Sequence, residues 1–410
     1  MFSAVFNVSI VGNLSPVEQD LRRGLAVQAG IDRGRSLPRS YFRTDIIVQN
    51  CLGTRSGQSA LSSLLTMIVF CGVSWVCICS VKFVDGGEPP RFVMGWGRQG
   101  SENGEFDFPI GIAVTRSDSI LVTDFTNARV QEFSSDGRFL HAFSVSLFPG
   151  GIALDQDGNI FISHAGIPPS RYDHPRQRDK IAVFSASGKP LREWGQFGTG
   201  DGEFDMPGGI AISHDGRVYV ADQCNRRIQV FDTEGKFLTK WGHKGFLPGE
   251  FGGNPHPKAF FAGPSFLALD REGNLFTTES TLGRVQKFTP DGKSLLAWGD
   301  NQDVPGRFGG YFTGFQQKNM QGPTGITIDA KGQLWTNSIG GRIQLFSEQG
   351  DYLDGFGEEG TRAGQFYAPH GIAIDNQGSL YVVDSFNHRI QKFNVTSVSE
   401  SNLTKMPCNE

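Results

Sequence analysis

The sequence predicts an all-β fold: a six-bladed β-propeller of four-stranded antiparallel blades, closed by an N-terminal strand and preceded by a single transmembrane or signal-anchor helix. Three observations carry this expectation. The 410 residues include 54 glycines and 34 phenylalanines, with 38% hydrophobic and 20% charged residues, which suits a large globular body of many turns and short packed strands. A Pro-x-Gly-Ile-Ala motif recurs six times, and repetition at such a period marks a repeat array. An uncharged stretch from Ser56 to Val81 precedes the first copy and is about long enough to cross a bilayer as a helix.

In chain order, residues 1–60 read as a polar, disordered cytoplasmic leader with seven arginines against four acids. Residues 61–84 hold "LLTMIVFCGVSWVCICSVKF" (Leu64 to Phe83), the transmembrane candidate, and 85–90 form a linker. The positive-inside rule then keeps the leader in the cytoplasm and exports residues 91–395, giving a single-pass membrane protein with its body outside. A cleaved secretory signal is the alternative, against which stands the lack of a small-x-small site before Val81. A third reading, a buried hydrophobic helix, needs a covering domain that the polar residues 1–55 do not supply. Cys71, Cys77 and Cys79 lie inside this apolar segment, while Cys51, Cys224 and Cys408 are scattered without CxxC spacing. That pattern excludes a zinc ribbon, a haem-attachment motif and a dense disulfide framework.

Charge divides unevenly. Residues 1–90 carry 8 Lys/Arg against 6 Asp/Glu, leaving 30 against 36 for residues 91–410. An acidic body argues against a nucleic-acid partner.

The repeats begin at "FPIGIAV" (Pro109) and continue through "FPGGIAL" (Pro149), "MPGGIAI" (Pro207), "GPSFLAL" (Pro264), "GPTGITI" (Pro323) and "APHGIAI" (Pro369). Within a copy, "GIAISHDGRVYVAD" reads as strand, Asp-Gly turn and alternating strand; "NRRIQVF" is a third strand, "DTEG" a turn and "KFLTKWG" a fourth. One such meander cannot bury both faces, so six must pack radially as blades. The sixth copy stops after "RIQKFNV", and "RFVMGWG" (Arg91 to Gly97) matches the missing fourth strand. Pairing the two closes the ring and removes its exposed edges. Residues 396–410 read as a polar tail.

The pattern "PxGIAxDxxGxxYVxD…NxRIQxF" resembles the NHL repeat, with "NRRIQVF" (Asn225 to Phe231) and "NHRIQKF" (Asn387 to Phe393) matching nearly residue for residue. The resemblance implies a six-bladed propeller over residues 91–395, and it implies no activity by itself.

A polar pair recurs five residues apart at the corner between second and third strands: Asp124 and Arg129, Asp222 and Arg227, Glu279 and Arg284, Asn337 and Arg342, Asp384 and Arg389. Recurrence in nearly every blade is expected of a structural latch, in which acid or amide and arginine satisfy one another. Blade 2 departs from it, with His164 and Lys180 sixteen apart and "AGIPPSRYDHPRQRD" inserted between them. Two more long loops, Gly242 to Gly263 and Gly299 to Gly322, join fourth strands to the next first strands. In an up-and-down meander all three emerge on one face, the expected ligand face. Arg171, Tyr172, His174, Phe260, Phe261, Tyr311 and Phe312 are its candidate contacts. Phe251 and Phe308, like Phe106, Phe204 and Phe366, belong to a recurring Gly-x-Phe element expected to pack between blades.

The residue after each repeat's proline is expected at the channel mouth: Ile110, Gly150, Gly208, Ser265, Thr324 and His370. A peptide-amidating lyase resembles this fold and holds zinc through Pro-His histidines of separate blades. Only His370 matches that position, and zinc needs about three converging ligands, with a loop histidine such as His164, His174 or His256 left open as a substitute. The expectation is therefore a non-catalytic, monomeric propeller without metal or other cofactor. It binds a protein, peptide or glycan, with His370, Thr324 and Ser265 at the mouth. The alternative is a propeller enzyme, amidating-lyase-like or another hydrolase or lyase, centred on His370.

Overall fold

The structure is a computed structural model that describes residues 46–47, 65–71, 75–81, 90–165, 179–252, 263–302, 304–309 and 322–395. The chain divides into two compact units, Met1–Gly86 and Gly87–Glu410.

The second unit is the six-bladed β-propeller. Blade 1 comprises Pro109–Val114, Ile120–Asp124, Arg129–Phe133 and Phe139–Ser144, hydrogen-bonded in that order. Blades 2 to 5 repeat the meander from Pro149, Pro207, Leu267 and Pro323. Blade 6 takes Ile372–Ile374, Ser379–Asp384 and Arg389–Asn394 from the end of the chain and Arg91–Trp96 from its beginning. That last pairing runs from Ile390↔Trp96 to Asn394↔Arg91, so the expected closure is present.

Each junction between blades has its own apolar cluster, as expected of meanders whose faces cannot be buried alone. Blades 6 and 1 share Ile112, Val122, Phe133, Tyr381 and Val383, and blades 1 and 2 share Leu121, Val130, Ile152 and Ile162. Comparable clusters fill the four remaining junctions. The Gly-x-Phe phenylalanines Phe106, Phe204, Phe251, Phe308 and Phe366 are all fully buried in these clusters. Outer-strand tryptophans pack on the third-to-fourth turn of the following blade. An added Cβ on Gly235 would lie 2.6 Å from the Trp194 ring, and this glycine has φ +84°, so both space and backbone demand it.

The first unit differs from expectation. Within 61–84, Leu65–Cys71 and Trp75–Val81 form antiparallel strands in register from Leu65↔Val81 to Cys71↔Trp75, and Ile46–Ile47 pairs with the first. The single helix expected there is not shown. Ile68, Val69, Phe70, Val76 and Ile78 are β-branched or aromatic, and an apolar run of this length does not separate strand from helix by pattern alone. No helix among the described residues is long and apolar enough to cross a membrane.

Candidate functional site

Connections between second and third strands, and from fourth strands to the next blade, share one face, the upper one. The insertion in blade 2 and both long loops belong to it. Most of their residues lie outside the described ones, and with them the candidates Arg171, Tyr172, His174, Phe260, Phe261, Tyr311 and Phe312.

The latch is built as a fork. In blade 3, Arg227 Nε donates to Asp222 Oδ2 at 2.7 Å, while its other nitrogens reach the carbonyls of Thr199, Gly200 and Glu203 in the connection arriving from blade 2. Asp222 also accepts from Asn225 Nδ2, Gln229 Nε2 and the Asp205 backbone N–H. Blades 1 and 6 repeat this with Asp124–Arg129 and Asp384–Arg389 at 2.8 and 2.7 Å, and blade 4 with Glu279 and Arg284. Burial pushes the carboxyls of Asp124, Asp222, Glu279 and Asp384 above their ordinary range, against the pull of these donors. The arginine therefore ties each incoming connection to the blade it leads into.

Blade 5 corrects one pair. Pro323 is in register with Ser338, as Pro109 is with Asp124, so Ser338 holds the latch position and Asn337 the one before it. The corner is one residue shorter, and counting five back from Arg342 reaches the wrong side chain. Asn337 instead accepts from the Gly325 N–H at 2.5 Å and donates to the His370 carbonyl at 2.8 Å.

That bond belongs to a ring that the sequence did not reveal. The carbonyl after each repeat's proline accepts one hydrogen bond from the preceding blade. Thr123 donates to Gly150, Ser163 to Gly208, Thr278 to Thr324 and Asn337 to His370. Where that position is Ala221 or Val383, backbone N–H groups serve: Gly209 to Ser265 and Gly371 to Ile110. Six links thus stitch the inner strands into a closed circle.

This circle decides the surroundings of the mouth candidates. Ser265 and Thr324 are fully buried, and His370 is 3% exposed. Thr324 Oγ1 lies 2.8 Å from the Pro369 carbonyl, and Ser265 Oγ lies 3.3 Å from Ser280 Oγ. His370 Nδ1 lies 2.9 Å from both the Ala368 carbonyl and Ser385 Oγ. A carbonyl only accepts, so Nδ1 carries the proton. Burial pushes the His370 pKa down to about 4, which keeps the ring neutral. All three side chains are buried rather than open, and that of Thr324 reaches across to the next blade.

Partly exposed above them is an aromatic arc. Tyr367, Phe386, Phe108, Phe125 and Phe148 follow one another across blades 6, 1 and 2, with ring centroids 5.3, 4.9, 5.9 and 5.1 Å apart. Phe108 also meets His370 edge-on at 5.5 Å. All five rings are half-buried. Phe108, Phe148, Met206 and Ala368, each directly before a repeat's proline, sit in left-handed backbone at φ 60°, 61°, 58° and 47°. Side chains disfavour that region, and such strain clusters at functional sites. Gln223 is 4% exposed, and its buried Oε1 has no hydrogen-bond partner.

Among the described residues no donor set gathers at the Pro-His position, and His174 and His256 lie outside them. Of the six residues following the prolines, His370 is the one metal-ligating side chain. Among the described residues the one group of three potential ligands is Asp270, Glu272 and Glu348, on the opposite face, where Lys287 Nζ already lies 3.0 Å from Asp270.

Fold and site together define a closed six-bladed propeller with an asymmetric upper mouth. Three of its blades match the family model described as NHL repeat, at residues 106–133, 204–231 and 366–393. Peptidylglycine alpha-amidating monooxygenase of Rattus norvegicus is 24% identical over 304 residues, covering 72% of this chain and 28% of that protein. The chain thus spans little more than a quarter of that relative's length. Protein brain tumor of Drosophila melanogaster is 26% identical over 135 residues, 31% of this chain and 12% of that protein. A solved structure from Bacteroides thetaiotaomicron, described as a structural genomics protein of unknown function, aligns with TM-score 0.56 at 16% identity. It covers 86% of this chain and 90% of that one, and shows the fold alone.

Proposed function

We propose that the propeller is a non-catalytic binding module that takes a protein, peptide or glycan on its upper face. The observation that supports this most is the aromatic arc from Tyr367 to Phe148. Five half-buried rings in sequence suit a ligand with an apolar or sugar face that stacks on them. The reading includes a location outside the cytoplasm, for which the uncharged Ser56–Val81 stretch and the arginine-rich residues before it speak.

The test is binding of the full chain to arrays of peptides and glycans, wild type beside Phe108→Ala and Phe125→Ala. Loss of one stacked ring is expected to weaken binding about 10- to 100-fold, from about 1.5–3 kcal/mol per buried aromatic. Unchanged affinity in both variants refutes the arc as the site.

A second reading, an enzyme at the mouth, has specific support in the alignment with the rat protein over 72% of this chain and in His370 at the Pro-His position. With His370 as ligand or general base, stoichiometric metal in the purified chain, lost on His370→Ala by elemental analysis, would support it.

A further inference from the structure

Asn394 is the last residue of the third strand of blade 6, in register with Ser379 and Arg91. Side chains alternate along a strand. Its neighbours Phe393 and Val395 are buried in the junction between blades 5 and 6, so Asn394 points the other way and is exposed. Its side chain makes no hydrogen bond or ion pair with the described residues. It stands on the rim of an open cleft of about 380 Å³ lined by Pro90, Asp329, Gln377 and Gly378, on the face opposite the aromatic arc.

Asn394-Val395-Thr396 is an Asn-x-Ser/Thr triplet, the acceptor sequence for N-glycosylation when x is not proline. No other asparagine from 91 to 395 begins one. The chain's remaining three are Asn7-Val8-Ser9, Asn13-Leu14-Ser15 and Asn402-Leu403-Thr404. The four divide two and two across the uncharged segment, so the side of the membrane on which the propeller lies decides which pair is reachable.

We propose that Asn394 is an N-glycosylation site, an inference that rests on the reading of the propeller as lying outside the cytoplasm. The co-substrate is an oligosaccharide carried on a polyprenyl diphosphate, transferred by an oligosaccharyltransferase. Asn394 Nδ2 forms a bond to the anomeric carbon of the first sugar. The bond from that carbon to the diphosphate oxygen breaks, the diphosphate leaves with its electron pair, and Nδ2 gives up one proton. No redox change occurs. The open cleft leaves room for the first sugar, and a bulky glycan there shields the lower face while leaving the upper mouth clear.

The test is expression of the full chain in cells with an N-glycosylating secretory pathway, followed by peptide:N-glycosidase digestion and protease protection in sealed microsomes. The expected result is a propeller protected from protease and a downward mobility shift on deglycosylation. One step of that shift disappears in Asn394→Gln, while Asn7→Gln and Asn13→Gln change nothing. Thr396→Ala removes the same step with the asparagine intact and Thr396→Ser retains it, which guards against a folding defect in Asn394→Gln. A protected propeller without glycan at Asn394 overturns the site and leaves the external location standing. A propeller digested from outside the microsomes overturns the location, and the site with it. Glycans at Asn7 or Asn13 indicate the inverse orientation and overturn both.

Discussion

Replacing Arg227 with alanine tests whether the recurring acid–arginine pair is a structural latch. Arg227 is 7% exposed, and its side chain donates to the Asp222 carboxylate and to the carbonyls of Thr199, Gly200 and Glu203. Its removal leaves a fully buried carboxylate without its counter-charge, held only by Asn225, Gln229 and the Asp205 N–H, and takes one donor from the carbonyls of Thr199, Gly200 and Glu203. Breaking a buried pair from one side costs about 3–5 kcal/mol. With an unfolding entropy of about 2 cal/mol/K per residue over residues 91–395, the melting temperature falls by about 5–8 °C. The control is Lys180→Ala in blade 2, where the lysine at the arginine's position meets Glu193, which is 60% exposed. A solvent-exposed pair contributes about 0–1 kcal/mol, so that melting temperature moves by less than about 2 °C. Adding Asp222→Asn to Arg227→Ala recovers part of the loss, because it removes the uncompensated charge. Calorimetry of the four chains decides the matter. Arg227→Ala melting within about 2 °C of Lys180→Ala, together with lost ligand binding, refutes the structural reading and makes the arginine functional.

Two other perturbations have outcomes fixed by the structure. Gly235→Ala and Gly216→Ala share a left-handed backbone, φ +84° and +83°, but an added Cβ lies 2.6 Å from the Trp194 ring in the first and no nearer than 3.7 Å to Thr233 in the second. Denaturant titration should show Gly235→Ala weaker by about 1–3 kcal/mol more, and equal losses would mean that tryptophan packing on the turn carries no weight. The folded pKa of His370 is lowered from 6.5 to about 4, so its contribution to stability is present above pH 6.5 and lost as pH falls toward 4. The buried carboxyls have raised values and act in the opposite sense, so the informative quantity is wild type minus His370→Asn. That difference shrinks by about 3 kcal/mol across the window, and a difference independent of pH would show that the imidazole is not held neutral.

Closure by Arg91–Trp96 was legible because its Trp-Gly ending repeats in "LREWG", "LTKWG" and "LLAWG", so a missing strand at one end had a visible match at the other. The inter-blade phenylalanines were legible for the same reason. Asn337 was misassigned because spacing was counted across a corner, the part of a repeat that tolerates deletion. Aligning the strands themselves, "GQLWTNS" on "GSLYVVD", places Ser338 beside Asp384. The ring of side chains before the latch left a trace as Thr123, Ser163, Thr278 and Asn337 in otherwise apolar strands, but its acceptors belong to the next blade and no local pattern names them. The aromatic arc leaves no mark at the residue after each proline. The one before it, reading Phe, Phe, Met, Gly, Gly, Ala around the ring, carries the asymmetry.

The same logic accounts for the irregular second blade. Blades 1, 3, 4, 5 and 6 each receive a connection that contains a Gly-x-Phe element, and each has an arginine and a glutamine that grip its carbonyls. Gln131, Gln229, Gln286, Gln344 and Gln391 each donate to one of those carbonyls. Blade 2 receives only Val145 to Phe148, which is why the Pro109-to-Pro149 spacing is 40, the shortest of the five. With nothing to grip, the glutamine is replaced by Ala182 and the arginine by Lys180, which turns outward to Glu193. His164 takes the acid's place, fully buried, with Nδ1 3.3 Å from the Leu147 carbonyl and its pKa pushed down to about 4. A buried carboxylate without an arginine would be costly, whereas a neutral imidazole is tolerated. His164 thus follows from a short connection, at the cost of a buried Nε2 without a hydrogen-bond partner.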